Sequence, residues 1–399
     1  MGVVDLNVMK ILYYTHTYFF DCDLPLIKAF RELGHEIFTF VDLPSHSLTS
    51  TLVDIRKMLP QTDILPILSY EQFEKYSVFF DDEKTYLLNR PGKVFGLRNV
   101  CLRIKFWKMV NKIKPDIIHC TDFVDSSDLF LYLYKRRLVQ VVHDPFLHSG
   151  EESFRRRINR NVAFKLVEKY VLLNKNQGFD FVKKNHLSQH SIYYNKLGVY
   201  ECIHLFDNSK NDIISTLPNR KVILFWGRIS PYKGVKYLMK AMEEVHQKES
   251  NAILVVAGYG KFDFDISIYE KVDYITIINR YLSMYELNSL LSIAHVSVCP
   301  YIDATQSGVI MTSYAMGVPV VSTNVGGLPE MVIDGVTGYV VKPKSSSSLS
   351  YALLKALDRE RNQAFRNNIA NMHYKDGELS WSSIAKKYID IYNAKRSCY

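Results

Sequence analysis

The 399-residue sequence predicts an α/β protein built from two Rossmann-like parallel-sheet domains facing a cleft. Three observations carry this. Short apolar runs alternate with helical patterns, which is the signature of βαβ units. The alternation occurs in two series, separated by a polar stretch from Asp207 to Arg220. The length allows each series a core of its own.

The first series opens at Lys10-Ile11-Leu12-Tyr13-Tyr14, a short apolar strand. A helical pattern over Leu24–Leu33 stops at Gly34, and Glu36–Val41 reads as the next strand. Asp116-Ile117-Ile118-His119 and Leu138–His143 read as buried strands that each end in a histidine, and Tyr170–Leu173 as a third. Side chains just past the carboxyl ends of parallel strands line the ligand crevice of an open α/β sheet, which singles out His119 and His143. The second series has strands at Lys221–Trp226, Ala252–Ala257, Tyr274–Ile278, Val296–Cys299 and Pro319–Ser322. Domains are expected at 1–206 and 207–380, with a terminal helix over 381–399 packing back toward the first. Ser345–Ser348 reads as a helix cap. There is no internal repeat.

Charge is distributed unevenly. Fifty Lys and Arg against 41 Asp and Glu give a net charge of +9. Residues 1–92 carry 8 basic and 13 acidic side chains, 93–200 carry 20 and 9, and 201–399 carry 22 and 19. From Lys93 to Lys114 there are seven cations and no acid, interleaved with Leu102, Ile104, Phe106, Trp107, Val110 and Ile113. Lys135-Arg136-Arg137 and Arg155-Arg156-Arg157 add two clusters. Two readings stay open: a solvated helix face with its apolar side in the core, or a patch in segment 93–160 that meets anionic lipid. Nucleic acid is not expected as a partner, because no recognised binding module is present. No apolar run is long enough to span a membrane, the start lacks the features of a secretory signal, and six scattered cysteines outline neither a zinc site nor a disulfide framework. A cytoplasmic chain is expected, peripheral to the inner membrane face in the lipid reading.

Two segments carry chemistry. Strand Val222–Trp226 runs into Gly227-Arg228-Ile229-Ser230-Pro231-Tyr232-Lys233-Gly234 and then a helix over Val235–Val245. Arg228 and Lys233 place two cations on one turn above the sheet, a bidentate phosphate ligand and a mobile point charge. The second segment runs from Val298 to Val321, through Pro300-Tyr301-Ile302-Asp303-Ala304-Thr305-Gln306-Ser307-Gly308-Val309 into a helix and a further strand. Gln306-Ser307-Gly308 opens that helix, whose first-turn amides form an anion site. Two cations and a helix N-terminus suit a diphosphate. Val325-Gly326-Gly327-Leu328-Pro329-Glu330 reads as a structural turn before a short helix.

Gly-Arg-x-x-x-x-Lys-Gly, the Pro-Tyr-x-x-x-x-Gln-Ser-Gly loop, Gly-x-Pro-Val-Val and Gly-Gly-Leu-Pro-Glu, in this order, resemble the group 1 family of retaining nucleotide-sugar glycosyltransferases (family four, GT-B fold). The likeness is specific over 221–343. It extends more weakly to Pro115–His119, Val142-His143-Asp144 and the helix Ser380–Tyr392. The resemblance implies a C-terminal donor domain in which Arg228 and Lys233 hold the diphosphate of a nucleotide sugar. Gly227 and the Ser307-Gly308-Val309 amides complete the cradle, with Gln306 beside them. Arg280-Tyr281-Leu282 then lies where such enzymes read the base, and His143 matches the histidine that faces the transferred sugar. The implied reaction moves a sugar to a saccharide or lipid-linked acceptor with retention, in surface glycan synthesis, without metal or other cofactor.

Two departures stand against the family pattern. Its paired glutamates, eight residues apart, align with Ala304 and Thr312. Thr312 retains a hydroxyl for the ribose, and Asp303 is a candidate for the lost sugar contact. The glycine-rich loop after the first strand is replaced by Thr15–Asp21, where His16 is either an acceptor contact or a local polar cap. His119 is a second acceptor-side candidate. Asp21/Asp23 and Asp263/Asp265 have the Asp-x-Asp spacing of metal-dependent sugar transferases, which chance readily supplies among 41 acidic residues. The alternative function is a catalytically inactive family member acting as a scaffold or partner.

Overall fold

The computed structural model describes residues 8–93, 96–146, 154–207, 213–214, 217 and 220–394, apart from the side chains of 154–156. The chain divides into two units. One runs to Leu197 and takes in the segment from Trp381 onward; the other is Gly198–Ser380.

The first unit is an eight-stranded sheet. Its strands are β1 (Lys10–His16), β2 (Glu36–Pro44), β3 (Asp63–Pro66), β4 (Thr85–Arg90), β5 (Ile117–Thr121), β6 (Leu138–Val142), β7 (Lys169–Leu172) and β8 (Ile192–Tyr194). Their order is β3-β4-β2-β1-β5-β6-β7-β8, and only the edge pair β3–β4 is antiparallel. Helices α1 (Phe20–Glu32), α2 (Leu97–Ile113), α3 (Phe154–Leu166) and α4 (Gly178–Asn185) connect them. Every residue of β5 and β6 is buried, as a strand covered on both faces requires. Helix α1 starts earlier than its apolar spacing suggests, at Phe20, with Asp21 and Asp23 in the first turn complementing the positive end of the dipole.

The second unit is a six-stranded, all-parallel sheet ordered β11-β10-β9-β12-β13-β14. Its strands are β9 (Lys221–Trp226), β10 (Ala252–Ala257), β11 (Ile275–Ile278), β12 (Ala294–Cys299), β13 (Val320–Thr323) and β14 (Gly338–Val341). Helices α5 (Val235–Lys248), α6 (Met284–Ile293), α7 (Gly308–Ala315), α8 (Leu328–Met331), α9 (Ser346–Ala356) and α10 (Arg359–His373) surround it. Ser345 caps α9 by accepting the Ser348 amide at 3.2 Å.

The division at Leu197/Gly198 lies ahead of the expected 206/207 boundary. The reason is local: the Tyr200 amide donates to the Met311 carbonyl at 3.2 Å and Asn288 donates to the Ile203 carbonyl at 3.1 Å, so the 3-10 turn Glu201–Phe206 packs with the second unit. Most of the polar linker after it lies outside the described residues. The closing helix α11 (Trp381–Asn393) belongs to the first unit. There Lys169 caps its C-terminal end, Nζ donating to the carbonyls of Ile391, Tyr392 and Ala394 at 2.9–3.0 Å.

Candidate functional site

In the second unit the two chemistry-bearing turns meet at the carboxyl ends of β9 and β12, adjacent strands of the sheet. Gly227 leaves β9 with φ +111°, and Gly234 closes the following turn with φ +67°. A Cβ on Gly234 would lie 2.0 Å from the Pro300 carbonyl oxygen, so the absence of a side chain lets the turn press against the segment after β12. The Ile302 amide donates to the Tyr232 carbonyl at 2.7 Å and locks the two together.

This packing fixes Lys233. Its Nζ sits 3.6 Å from the centroid of the buried Tyr301 ring, near the Cys299 thiol. Burial lowers its pKa to about 8; Cys299 acts in the opposite sense, and Arg228 adds to the lowering. Arg228 itself is exposed. Ser307 is the N-cap of α7, yet its hydroxyl makes no cap bond and instead lies 3.4 Å from the Tyr301 hydroxyl. The Ile310 amide donates back to the Ser307 carbonyl at 3.1 Å, so the entrance of α7 is formed by the Gly308 and Val309 amides ahead of it. Gly308 is required by closeness again, since its Cβ would stand 2.9 Å from a ring carbon of Tyr200.

The other predicted donor residues are placed as follows. Gln306 has its carboxamide nitrogen buried without a hydrogen-bond partner, as do Trp226 Nε1 and Ser230 Oγ on and just after β9. A buried donor left unsatisfied costs about 1–3 kcal/mol, so these three suit a ligand with acceptor oxygens. Sequence reasoning missed Trp226, Ser230 and Tyr301, which become legible only once β9 and β12 are known to be neighbours. Ala304 is buried and Asp303 exposed. The Thr312 hydroxyl donates to the Gly308 carbonyl at 2.9 Å, which leaves its oxygen as an acceptor only. Arg280 pairs with Glu286 through both oxygens, at 2.5 and 3.1 Å, and this pairing holds the Glu286 carboxyl down at about 2. Tyr281, beside it, stacks on Tyr259 with ring centroids 4.6 Å apart and both rings open to solvent. Leu282 is half-buried on the same turn.

The first unit places its histidines differently from expectation. His119 lies inside β5 rather than past it. It is buried, stacked on Tyr13 at 4.3 Å, bonded to the Tyr392 hydroxyl at 2.6 Å and held near pKa 3 by burial, so it is a core residue and not an acceptor contact. His143 does stand just past β6, but its Nε2 points to the Cys22 Sγ at 3.9 Å and its ring lies against Phe19. Burial lowers it to about 4. Cys22, Asp23 and His143 bring one ligand atom each within 4.8 Å of one another. Both Asp23 oxygens are already engaged, Oδ1 by the Tyr13 and Thr121 hydroxyls at 2.7 and 3.0 Å and Oδ2 by Thr15. The cluster is therefore a hydrogen-bonded polar core in which Asp23, the second acid of one Asp-x-Asp, is consumed. In the other, Asp265 accepts from Ser267 in a local turn.

His16 ends β1 half-buried, its Nδ1 3.6 Å from Asp42, with burial lowering its pKa to about 4. Asp42 in turn faces Arg90, whose Nε at 3.0 Å is close enough for an ion pair but too bent for a hydrogen bond. Arg90 bonds Asp128 at 2.6 Å. His16 thus borders a buried ionic network at the carboxyl end of the sheet.

Comparison with known proteins assigns the second unit. The family model of group 1 glycosyl transferases matches residues 220–359. An uncharacterized glycosyltransferase of Methanocaldococcus jannaschii is 31% identical over 188 residues, 45% of this chain and 46% of that protein. The alpha-maltose-1-phosphate synthase of Mycobacterium tuberculosis is 30% identical over 189 residues, 44% of this chain and 48% of that protein. The matched region spans about half the length of these curated relatives. Anabaena HepE, solved in complex with UDP, is 16% identical and superposes over 96% of this chain and 99% of its own with a TM-score of 0.63. The match identifies residues 220–359 of the second unit as a group 1 glycosyl transferase domain, and the solved neighbour shares the two-domain GT-B fold along both units.

Proposed function

We propose that the protein transfers a sugar from a nucleotide-diphosphate sugar to a saccharide or lipid-linked acceptor, with retention of configuration, in surface glycan synthesis. One observation carries the reading: Arg228, Lys233 and the start of α7 belong to two turns clamped together at the carboxyl ends of β9 and β12. The UDP bound by the HepE neighbour supports a uridine nucleotide as the first donor to try.

When the C1–O bond of the donor breaks, its electron pair stays on the leaving diphosphate. Positive potential fixed in advance at that oxygen lowers the barrier most directly. Lys233 is protonated at neutral pH and Arg228 always, and the α7 amides add the dipole. The acceptor oxygen then bonds to C1 on the face the phosphate leaves, and its proton passes to the departing phosphate oxygen. Within the first unit, His16 is the acceptor-side candidate. The two side-chain cations provide the charge that a divalent ion provides elsewhere, so turnover is expected to survive EDTA.

Purified protein should hydrolyse one nucleotide sugar slowly and transfer it faster once acceptor is added. Lys233→Ala or Arg228→Ala should lower turnover by roughly two to three orders of magnitude while the protein stays folded. Near-normal turnover in both variants would remove the assignment. The inactive-scaffold reading is favoured by one observation, the replacement of both family glutamates by buried Ala304 and inward-bonded Thr312. Nucleotide binding without any turnover across a donor panel would select it.

A further inference from the structure

Helix α2 has two apolar faces. Asn99, Leu102, Phe106, Val110 and Ile113 are buried against the core of the first unit. Leu97, Val100, Ile104 and Trp107 are exposed, by 85, 37, 48 and 47%. Their spacing of three, four and three residues confines them to one arc of about 80° at 3.6 residues per turn, on the side away from the core. The neighbouring arc carries exposed Lys108, Lys112 and Arg98, with Lys105 ion-paired to Asp63 at 2.9 Å, and the helix itself contains no acidic residue. On its other flank Arg103 has Nε and Nη2 without a hydrogen-bond partner. Of the apolar residues in this segment, Leu102, Phe106, Val110 and Ile113 enter the core, as the solvated-face reading expects, while Ile104 and Trp107 stay outside it.

A second basic cluster adjoins this face. The 3-10 turn Leu129–Tyr134 packs on α2, with the Tyr134 hydroxyl donating to Asn111 at 2.8 Å and Phe130 set edge-on to Phe106 at 5.4 Å. Leu133 on that turn is 74% exposed, and exposed Lys135 and Arg136 follow it directly. In the third cluster, Arg155-Arg156-Arg157, the first two side chains lie outside the described residues and Arg157 is exposed.

We infer that the outward face of α2, with Leu133, Lys135 and Arg136 beside it, docks the first unit on an anionic lipid bilayer, the helix lying in the plane of the interface. A bilayer surface takes aliphatic side chains and cations together: Leu97, Val100 and Ile104 enter the acyl boundary, Trp107 sits at headgroup level, and the lysines reach back to the phosphates. A nucleic acid would neutralise the cations but leave the aliphatic arc in water. Among the described residues no helix is long and apolar enough to cross a membrane, so this contact is interfacial.

The test uses the full chain and phosphatidylcholine vesicles with or without phosphatidylglycerol. The protein should co-sediment only with the anionic vesicles at low salt, and its tryptophan emission should shift to the blue. Trp107 reports this change, being more exposed than Trp226 or the buried Trp381. Ile104→Ser with Trp107→Ser should lower the partition coefficient at least roughly tenfold. Lys108→Gln and Lys112→Gln should each lower it roughly fivefold. All four side chains are exposed, so the variants should melt with the wild type. Failure of the wild type to sediment with anionic vesicles would overturn the inference. So would charge variants that lose binding while the Ile104/Trp107 pair keeps it, which would mark a general polyanion surface.

Discussion

The ammonium of Lys233 lies 3.6 Å from the centroid of the Tyr301 ring, and the same tyrosine places its hydroxyl 3.4 Å from Ser307 at the start of α7. One side chain thus positions the cation and touches the helix entrance that the proposed mechanism uses. A desolvated cation–π contact contributes about 2 kcal/mol, roughly a thirtyfold effect. Tyr301→Phe keeps the ring face and should leave the donor KM within a few-fold of wild type. Tyr301→Leu removes it and should lower kcat/KM roughly thirtyfold. Equal kinetics for the two variants, at matched melting temperatures, would show that the ring does not position Lys233.

Lys233 also sets a pH limit. Its folded pKa, lowered to about 8, means that the free protein loses this charge as pH rises through 8. The rate constant kcat/KM, which reports the free protein, should fall above that pH. A bound diphosphate restores the charge, so kcat should hold to higher pH. For stability the sign is opposite: between about 8 and the unfolded value near 10.4 the unfolded chain binds more protons, so this group makes the fold more stable as pH rises. Lys233→Arg should abolish the alkaline limb of kcat/KM while lowering its plateau, and pH–rate profiles of the two proteins check this.

Much of this was legible in the sequence because β9 and β10 are continuous apolar runs, the pattern of strands covered on both faces, and β12 keeps apolar Val296, Val298 and Cys299 around Ser297. The motif turns follow those strands directly, so Arg228, Lys233 and Ser307 could be named. What was hidden depends on contacts between segments far apart in sequence. Tyr301 reads as part of a polar loop until the Ile302 amide is seen to bond the Tyr232 carbonyl. His119 was misjudged because β5 runs on to Thr121, which carries the histidine into the core. The edge strand Asp63–Pro66 was missed since its alternation is weak and it ends in proline.

Glycine substitutions separate crowding from backbone strain. Gly234 and Gly317 both have positive φ, +67° and +65°, but only Gly234 has a backbone oxygen where a Cβ would go. Gly317→Ala should cost about 1–2 kcal/mol, the left-handed penalty alone. Gly234→Ala should cost more and also displace Lys233, so its loss of kcat/KM should exceed its loss of stability. Denaturant titration and donor kinetics on both variants decide this. Similar behaviour in the two would mean that the turn is not clamped against Pro300.

Asp23 offers a stability test in the first unit. It is buried among Tyr13, Thr15, Thr121, Cys22 and His143, and burial raises its pKa to about 7 against the hydroxyl hydrogen bonds that favour its ionised form. A carboxyl whose folded pKa lies above its unfolded value, near 3.9, binds more protons in the folded state between the two. Its contribution is therefore greatest below about pH 4 and declines as pH rises to about 7, by at most about 1.4 kcal/mol per pH unit. The buried histidines act in the opposite direction: His119 and His143 are held neutral, so protonation of the unfolded chain erodes stability below about pH 6.5. Total stability mixes these effects, whereas the difference between Asp23→Asn and wild type isolates the carboxyl. That difference should shift in favour of the asparagine variant from pH 5 to pH 7.5, because the amide keeps an acceptor for the hydroxyls and has no charge to bury. Urea unfolding at both values measures it, and a difference that stays constant across the range would place the Asp23 pKa outside it.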